Sequence, residues 1–287
     1  MRKEKLTLAI QKKGRLSDGS IELLKLCGIK VSNGGNHLKA VAEGFPMEII
    51  LLRDDDIPQY VADGVADIGI LGMNEVLEKD KEVEIIRNLG FSKCRLSVAV
   101  PKSVEYTGRN YLQGKRIATS YPVVLEKFLV ENNIQAEIHS ISGSVEVAPS
   151  IGLADVIFEI VSSGGTLLSN GLKEVEVIMK SEAVIISKPK LSDEKNALLD
   201  KLLFRIEAVQ KAKRNKYILL NAPESNLDKI IKLIPGMKSP TILPLVEKGW
   251  CSLHSVISEN DFWEVIDNLK DAGAEGILVV PIEKMVV

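Results

Sequence analysis

The chain has 287 residues, 45% of them hydrophobic and 26% charged, and a formal net charge of −2. At roughly 100–200 residues per domain this predicts two or three domains, and the near-neutral charge excludes the broad basic footprint that nucleic-acid binding needs. The longest apolar stretches, such as 276–282, fall far short of the roughly 20 residues of a membrane span. Cys27, Cys94 and Cys251 are odd in number and far apart, and His37, His139 and His254 are equally scattered. That spacing argues against a disulfide framework and against a structural zinc site. The start of the chain is charged but has no extended apolar segment or cleavage site behind it, so the protein is expected to be cytoplasmic.

In chain order, residues 5–10 read as a strand and 17–27 as a helix, apolar at Ile21, Leu23, Leu24 and Leu26, with Gly28 placed to end it. Residues 47–52 form a second strand, and 57–63 a short helix closed by Gly64. The run 67–71 is a third strand, apolar enough to be buried on both faces. Further strands are predicted at 94–100 and 116–119, with a helix over 122–132. This alternation predicts α/β layers on a mostly parallel sheet. An internal echo points the same way. Gly64-Val65-Ala66-Asp67-Ile68-Gly69-Ile70 resembles Gly152-Leu153-Ala154-Asp155-Val156-Ile157-Phe158, which suggests two similar lobes facing each other across a cleft.

The last third changes character. A long amphipathic helix over 192–213 leads into strand 217–222, helix 225–234, strands 241–245 and 251–257, helix 259–272 and strand 276–281. That order, βαββαβ, is the ferredoxin-like unit. Trp250, His254 and Trp263 read as packing residues there.

The segment richest in chemistry runs from Asp155 through Glu159 to Ser162-Ser163-Gly164-Gly165-Thr166. An apolar strand ends in a carboxylate, then a hydroxyl- and glycine-rich turn opens the next helix. Such a turn makes a phosphate cup, because glycines allow close backbone approach while N–H groups and hydroxyls donate to the anion. The same residues also suit a plain capped turn.

Here the sequence resembles the ATP phosphoribosyltransferases. The run Ser142-Gly143-Ser144-Val145-Glu146-Val147-Ala148-Pro149, the stretch Gly152-Leu153-Ala154-Asp155, the cup, and Asn170-Gly171-Leu172 are similar to that family's phosphoribosyl pyrophosphate motif. Gln11-Lys12-Lys13-Gly14-Arg15-Leu16 resembles its opening signature, Asp67-Ile68-Gly69-Ile70-Leu71-Gly72 its first lobe, and Cys94-Arg95-Leu96-Ser97 and Arg116-Ile117-Ala118-Thr119 its second. Ser239-Pro240-Thr241-Ile242-Leu243 resembles the regulatory domain of the long form. Two departures stand out: Ser163 where the family usually has Thr, and Glu159 where it usually has Asp.

The resemblance implies an α/β fold with a two-lobed, type II periplasmic-binding-protein-like catalytic core and a C-terminal ferredoxin-like (ACT-like) domain. Lobe I would span 1–95 with a return segment near 182–212, lobe II 96–181, and the regulatory domain 213–287. The implied reaction joins ATP and phosphoribosyl pyrophosphate, with Mg²⁺ carried mainly by the substrate, histidine as inhibitor, and a dimeric or hexameric homo-oligomer. Carried over residue by residue, Arg15, Asp155 and Glu159 would be catalytic, and Ser162, Ser163, Gly164, Gly165 and Thr166 would hold phosphoribosyl pyrophosphate. Lys12, Leu71, Gly72 and Glu146 would meet the nucleotide, and Asn221, Ser239 and Thr241 the inhibitor. Neither a membrane nor a nucleic acid is expected as partner. A two-lobed solute-binding protein and a catalytically silent amino-acid sensor are the competing classes; the first calls for a leader segment and the second for a degenerate cup.

Overall fold

The computed structural model describes residues 4–32 and 38–287, so His37 lies outside the described residues. Contacts divide the chain into two compact units, Met1–Leu198 and Leu199–Val287. The division falls inside a long helix, upstream of the break expected near residue 213.

The first unit begins with β1 (Leu6–Gln11), α1 (Arg15–Leu26), β2 (Lys30–Ser32), β3 (Lys39–Glu43), β4 (Met47–Leu52), α2 (Ile57–Ala62), β5 (Ile68–Gly72), α3 (Met73–Lys79) and β6 (Glu84–Asn88). It continues with β7 (Cys94–Pro101), β8 (Arg116–Thr119), α4 (Pro122–Glu131), β9 (Glu137–Ser140), β10 (Val156–Val161), α5 (Gly165–Ser169), β11 (Leu172–Ser181), β12 (Ala183–Ser187) and the start of α6 (Asp193–Arg214). Two sheets result, ordered β2-β3-β4-β1-β5-β12-β6 and β11-β7-β10-β8-β9.

Neither sheet is mostly parallel. In the first only β1 pairs in parallel, with β4 and β5, while β12 returns antiparallel between β5 and β6. In the second β8 pairs in parallel with β10 and β9, and β7 runs antiparallel to both β10 and β11. The long antiparallel β11 hides in the sequence because charges interrupt it (Lys173, Glu174, Glu176, Lys180) and most of it is only half-buried. The fully buried β12, Ala-Val-Ile-Ile-Ser, carries the polarity of a central strand.

The internal echo has a physical cause. In the first lobe the Asp67 N–H donates to the Thr7 carbonyl at 2.9 Å, and the Thr7 N–H donates back to Asp67 Oδ2 at 2.9 Å. In the second the Asp155 N–H donates to the Arg116 carbonyl at 2.9 Å, and the Arg116 N–H to Asp155 Oδ2 at 3.0 Å. Each aspartate clamps the amino end of a parallel strand pair, β1–β5 or β8–β10. It meets donors that would otherwise lack partners at the start of the ladder. Gly64 and Gly152 precede the clamps at φ 72° and 75°, a turn that costs glycine little.

The two clamps differ in charge environment. Asp67 is 2% exposed and pairs with Lys195 at 2.9 Å and Lys188 at 3.4 Å. Asp155 is partly exposed and pairs with Arg116 at 3.0 Å, whose guanidinium and N–H hold its carboxyl below the usual value of 3.8.

The lobes also meet across α3 and α4. Glu78 accepts the Val123 and Val124 N–H groups at 3.1 and 3.0 Å, so a carboxylate from α3 caps the amino end of α4. The Tyr121 hydroxyl donates to Glu75 at 2.8 Å, Asn74 Nδ2 bonds Tyr121 and Glu75, and the Ser181 hydroxyl donates to Asn74 at 2.7 Å. Burial raises Glu75 above its usual 4.5, although Tyr121 opposes the shift.

The second unit holds the rest of α6, then β13 (Asn215–Pro223), α7 (Leu227–Leu233), β14 (Thr241–Pro244), β15 (Trp250–Ser258), α8 (Glu259–Asp271) and β16 (Glu275–Pro281). The sheet is ordered β14-β15-β13-β16 and antiparallel throughout, the arrangement of a ferredoxin-like βαββαβ unit. Its core joins Ile218, Leu220, Leu253, Ile230 and Leu269. Trp263 is not part of it: the residue is 70% exposed on α8 and its ring meets Phe262 edge to face.

Two outcomes are expected. Asp67→Asn keeps an oxygen for the Thr7 N–H but strands two lysines, and should cost about 2–4 kcal/mol in urea denaturation at pH 7. Asp155→Asn, at a partly exposed pair, should cost less than about 1 kcal/mol. A lowered carboxyl stabilises above its unfolded value and loses that contribution as pH falls through the folded one, so the Asp155 difference should vanish at strongly acid pH. Glu75 works in the opposite sense. A raised carboxyl favours folding most in acid and loses that contribution as pH rises through the folded value. Thermal melts of Glu75→Gln should therefore gain on the parent at pH 8 relative to pH 4.

Candidate active site

Both parallel strand pairs are clamped at their amino ends, which leaves their carboxyl ends to carry the functional turns. Strand β1 releases into Lys12-Lys13-Gly14 and then Arg15, the first residue of α1. Strand β10 releases into Ser162-Ser163-Gly164 and α5. Across the lobes, Arg15 Nη1 donates to Ser162 Oγ at 3.3 Å. Arg15, Glu146, Ser162, Ser163, Gly164 and Thr166 line one cavity of about 220 Å³.

Gly164 caps α5 in the left-handed region at φ 81°, a conformation that a side chain would strain. The helix it opens has only five residues, so its dipole is small. Anion attraction at the turn rests on N–H groups, hydroxyls and the Arg15 guanidinium instead. Gly165 follows as the first helical residue, with open space where a Cβ would stand apart from Ser163 Oγ at 3.7 Å.

A second cavity, about 590 Å³, shares Ser162 with the first and is lined by Lys93, Cys94, Arg95, Lys180, Ser181 and Glu182 among others. Its three cations against one acid make it an electropositive hollow beside the cup. Lys93, Arg95 and Lys180 received no role from sequence. Arg95 stood in a family-like run, whereas Lys93 and Lys180 carry no motif and become visible only when β7 and β11 pair, with Lys180 opposite Arg95.

The remaining expected residues fall in different places. Glu159 lies on β10 three residues before Ser162 and is half-buried. Its carboxylate accepts the Ser120 N–H at 3.1 Å, the Ser120 hydroxyl at 2.7 Å and the Ile160 N–H at 2.9 Å. Burial pushes it above the usual 4.5 despite these bonds. Asp155 is not beside the cup. It precedes β10 at the far end from Ser162, about 20 Å away at strand rise, and its carboxylate is committed to Arg116. The catalytic place expected for Asp155 is thus not at the cup, and its contacts are those of the clamp described above.

Leu71 has a fully buried side chain in the first-lobe core with Ala9, Ile57 and Val184, so only its backbone is left to meet a nucleotide, and that backbone pairs with Val184. Gly72 caps α3. The Lys12 side chain is exposed beside Arg15, and its N–H donates to the Leu52 carbonyl at 2.8 Å. Among the described residues no group of three His, Cys, Asp or Glu side chains is placed to hold a metal ion.

In the second unit, Ser239 and Thr241 line a cavity of about 470 Å³ with Tyr217, Lys238 and His254. His254 is thus a polar wall rather than a packing residue: its Nδ1 lies 3.0 Å from the Tyr217 hydroxyl and its Nε2 3.1 Å from the Ser252 hydroxyl. Asn221 does not line this cavity; it pairs with Ser252 and Glu275 on neighbouring strands.

No described helix is long and apolar enough to cross a membrane. The family model described as ATP phosphoribosyltransferase matches residues 53–208, and the one described as HisG, C-terminal domain, matches residues 212–284. A Cytophaga hutchinsonii protein named ATP phosphoribosyltransferase is 62% identical, with 98% of each chain covered. A Bacteroides thetaiotaomicron protein of the same name is 58% identical over 98% of this chain and 100% of its own length. Among solved structures, the ATP phosphoribosyl transferase (HisG:HisZ) complex from Thermotoga maritima aligns at TM-score 0.59 and 30% identity, over 70% of this chain and 98% of that one. A histidine kinase sensor domain with similarity to periplasmic binding proteins aligns at TM-score 0.51 and 10% identity, over 73% of this chain and 92% of that one, which shows the fold alone. With close relatives covered nearly end to end and both units matched, the chain belongs to the ATP phosphoribosyltransferase family and is a pentosyl-transferring enzyme.

Proposed function

We propose that the enzyme transfers the phosphoribosyl group of phosphoribosyl pyrophosphate to N1 of ATP, giving phosphoribosyl-ATP and pyrophosphate as the first step of histidine biosynthesis. The observation that carries this reading is the Arg15–Ser162 contact, which sets a guanidinium from one lobe over a hydroxyl-rich cup from the other. In the reaction a bond forms between adenine N1 and the anomeric carbon, and the carbon–oxygen bond to pyrophosphate breaks with its electron pair leaving on oxygen. The nucleophile belongs to the substrate, so the protein's part is to position two polyanions and stabilise charge on the leaving group.

In this reading Ser162, Ser163, Gly164, Gly165 and Thr166 receive the 5′-phosphate, and Arg15 faces the phosphates from the opposite lobe. Glu159, held by Ser120, offers a fixed acceptor to the sugar hydroxyls. Lys93, Arg95 and Lys180 supply positive charge for the donor's pyrophosphate in the adjoining hollow. Lys12, Gly72 and Glu146 are assigned to the nucleotide.

Magnesium is proposed to come to this site as an ion carried by pyrophosphate oxygens with its waters. When bound it would neutralise developing charge on the leaving group. The cavity bounded by Ser239, Thr241, Tyr217 and His254 is the proposed seat of histidine, an amino acid small enough for it and rich in groups that match its polar wall. The working protein is proposed to be a cytoplasmic homo-oligomer, dimeric or hexameric.

The solute-binding reading does not account for a cross-lobe guanidinium over a hydroxyl cup, and the silent-sensor reading expects that cup to have decayed. An assay with ATP, phosphoribosyl pyrophosphate, Mg²⁺ and pyrophosphatase, followed by the ultraviolet absorbance of N1-substituted adenine, should show product; its absence from folded protein would defeat the proposal. Arg15→Ala should lower kcat/KM about 100-fold, the scale of losing one charged transition-state donor. Thr241→Val should weaken inhibition by histidine about tenfold, equivalent to about 1.4 kcal/mol, while leaving turnover without histidine intact. Equal inhibition of the variant and the parent would remove histidine from that cavity.

A further inference from the structure

The cup turn has little to hold it from within. Its helix is five residues long and receives no side-chain cap. What fixes Ser162 comes from the neighbouring strands. Arg95 on β7 donates from Nη1 to the Ser162 carbonyl at 3.0 Å. Its Nε and Nη2 each donate to Glu174 on β11 at 2.5 Å, a two-pronged pairing. The Ser97 hydroxyl donates to the same carboxylate at 2.7 Å.

Strand β7 lies between β10 and β11, so this frame crosses three strands and ends on the first residue of the cup. Register supports the arrangement. Arg95 lies opposite Val161, which precedes Ser162, and Glu174 lies opposite Ala99. Ala99, Ser97 and Arg95 alternate onto one face of β7, so the Arg95 side chain lies back along that face to reach Glu174.

Charge explains why the carboxylate is needed. Arg95 lines the hollow that also holds Lys93 and Lys180, and an unpaired guanidinium there would turn away from its like-charged neighbours. Glu174 holds two edges of the guanidinium and leaves Nη1 aimed at the Ser162 carbonyl. Glu174 itself lines neither cavity, and its carboxyl is held below the usual range chiefly by Arg95. The pair is therefore charged throughout the neutral range.

We propose that Glu174 is a positioning residue for the phosphoribosyl transfer: acting through Arg95, it sets the Ser162 carbonyl and so aims the hydroxyls and N–H groups of the cup at the donor's 5′-phosphate. The inference rests on the cup as the phosphoribosyl pyrophosphate site, proposed above. Glu174 touches no substrate, so its loss weakens capture of one substrate and leaves the other alone.

Steady-state kinetics with each substrate varied in turn, together with thermal melts, test it in four variants. Glu174→Gln keeps the shape and removes the charge; it should raise KM for phosphoribosyl pyrophosphate about tenfold while kcat and KM for ATP stay within about twofold. Arg95→Lys keeps the charge but cannot pair two-pronged and reach Ser162 together, so it should give at least the same shift. The double variant should then be no worse than Arg95→Lys alone, because the two residues act as one unit. Thr166→Val reports on the cup directly and should raise the same KM.

If Thr166→Val raises it and Glu174→Gln does not, the frame is overturned and the cup reading stands. If Thr166→Val leaves it unchanged, the cup reading fails and the frame falls with it. If Glu174→Gln lowers the melting temperature and both KM values move together, Glu174 is a structural support only. The Arg95→Lys data keep the question decidable if Glu174→Gln fails to fold.

Discussion

Each lobe of the first unit depends on one aspartate that closes the amino end of a parallel strand pair. A parallel ladder begins with backbone groups that no neighbour satisfies, and in both lobes the preceding aspartate meets them with its carboxylate and its own N–H. Fixing that end fixes the register, and register decides which residues emerge at the other end. Arg15 and Ser162 face each other from the carboxyl ends of β1 and β10. Asp155, expected at the chemistry, stands instead at the opposite end of its strand.

The clamps also account for what the sequence revealed and what it concealed. The echo around Asp67 and Asp155 was visible as a repeated Gly-x-Ala-Asp followed by an apolar strand, because the turn needs glycine and the ladder needs a carboxylate. The two-lobed reading followed from it. The cup was legible for a similar reason: hydroxyls and a left-handed glycine packed into one turn are local chemistry. The charged wall of the neighbouring hollow was not legible. Lys93 and Lys180 are far apart in the chain and become neighbours only through the β7–β11 pairing, and β11 reads as a polar stretch because it lies at the edge of its sheet. His254 misled in the opposite direction, since a lone histidine in a strand looks like packing until the Tyr217 hydroxyl and Ser239 are found beside it.

The site's electrostatics are divided between paired and uncommitted charge. Arg116 is committed to Asp155, and Arg109 to Glu176 at 2.5 Å; these arginines brace β8 and β11. Among the described residues Arg15 makes a neutral contact, to a hydroxyl, and no ion pair, so most of its guanidinium is available to an anion. Arg95 stands between these cases, paired to Glu174 yet still lining the hollow. Because α5 is too short to supply much of a dipole, the positive field at this turn comes from such partly committed cations converging on it.

The contacts between the lobes are unequal, and the inequality sets how they can move. On the α3–α4 side, Glu78 caps a helix across the gap, Tyr121, Glu75, Asn74 and Ser181 form one continuous buried network, and Lys127 meets Asp80 at 3.0 Å. Opening there would leave buried polar groups and a helix end without partners, each a substantial cost. On the cup side, among the described residues, Arg15 and Ser162 are joined by a hydrogen bond of 3.3 Å between an exposed arginine and a serine hydroxyl, and water can replace both partners. The lobes therefore part most readily at the cup and least readily at α3–α4.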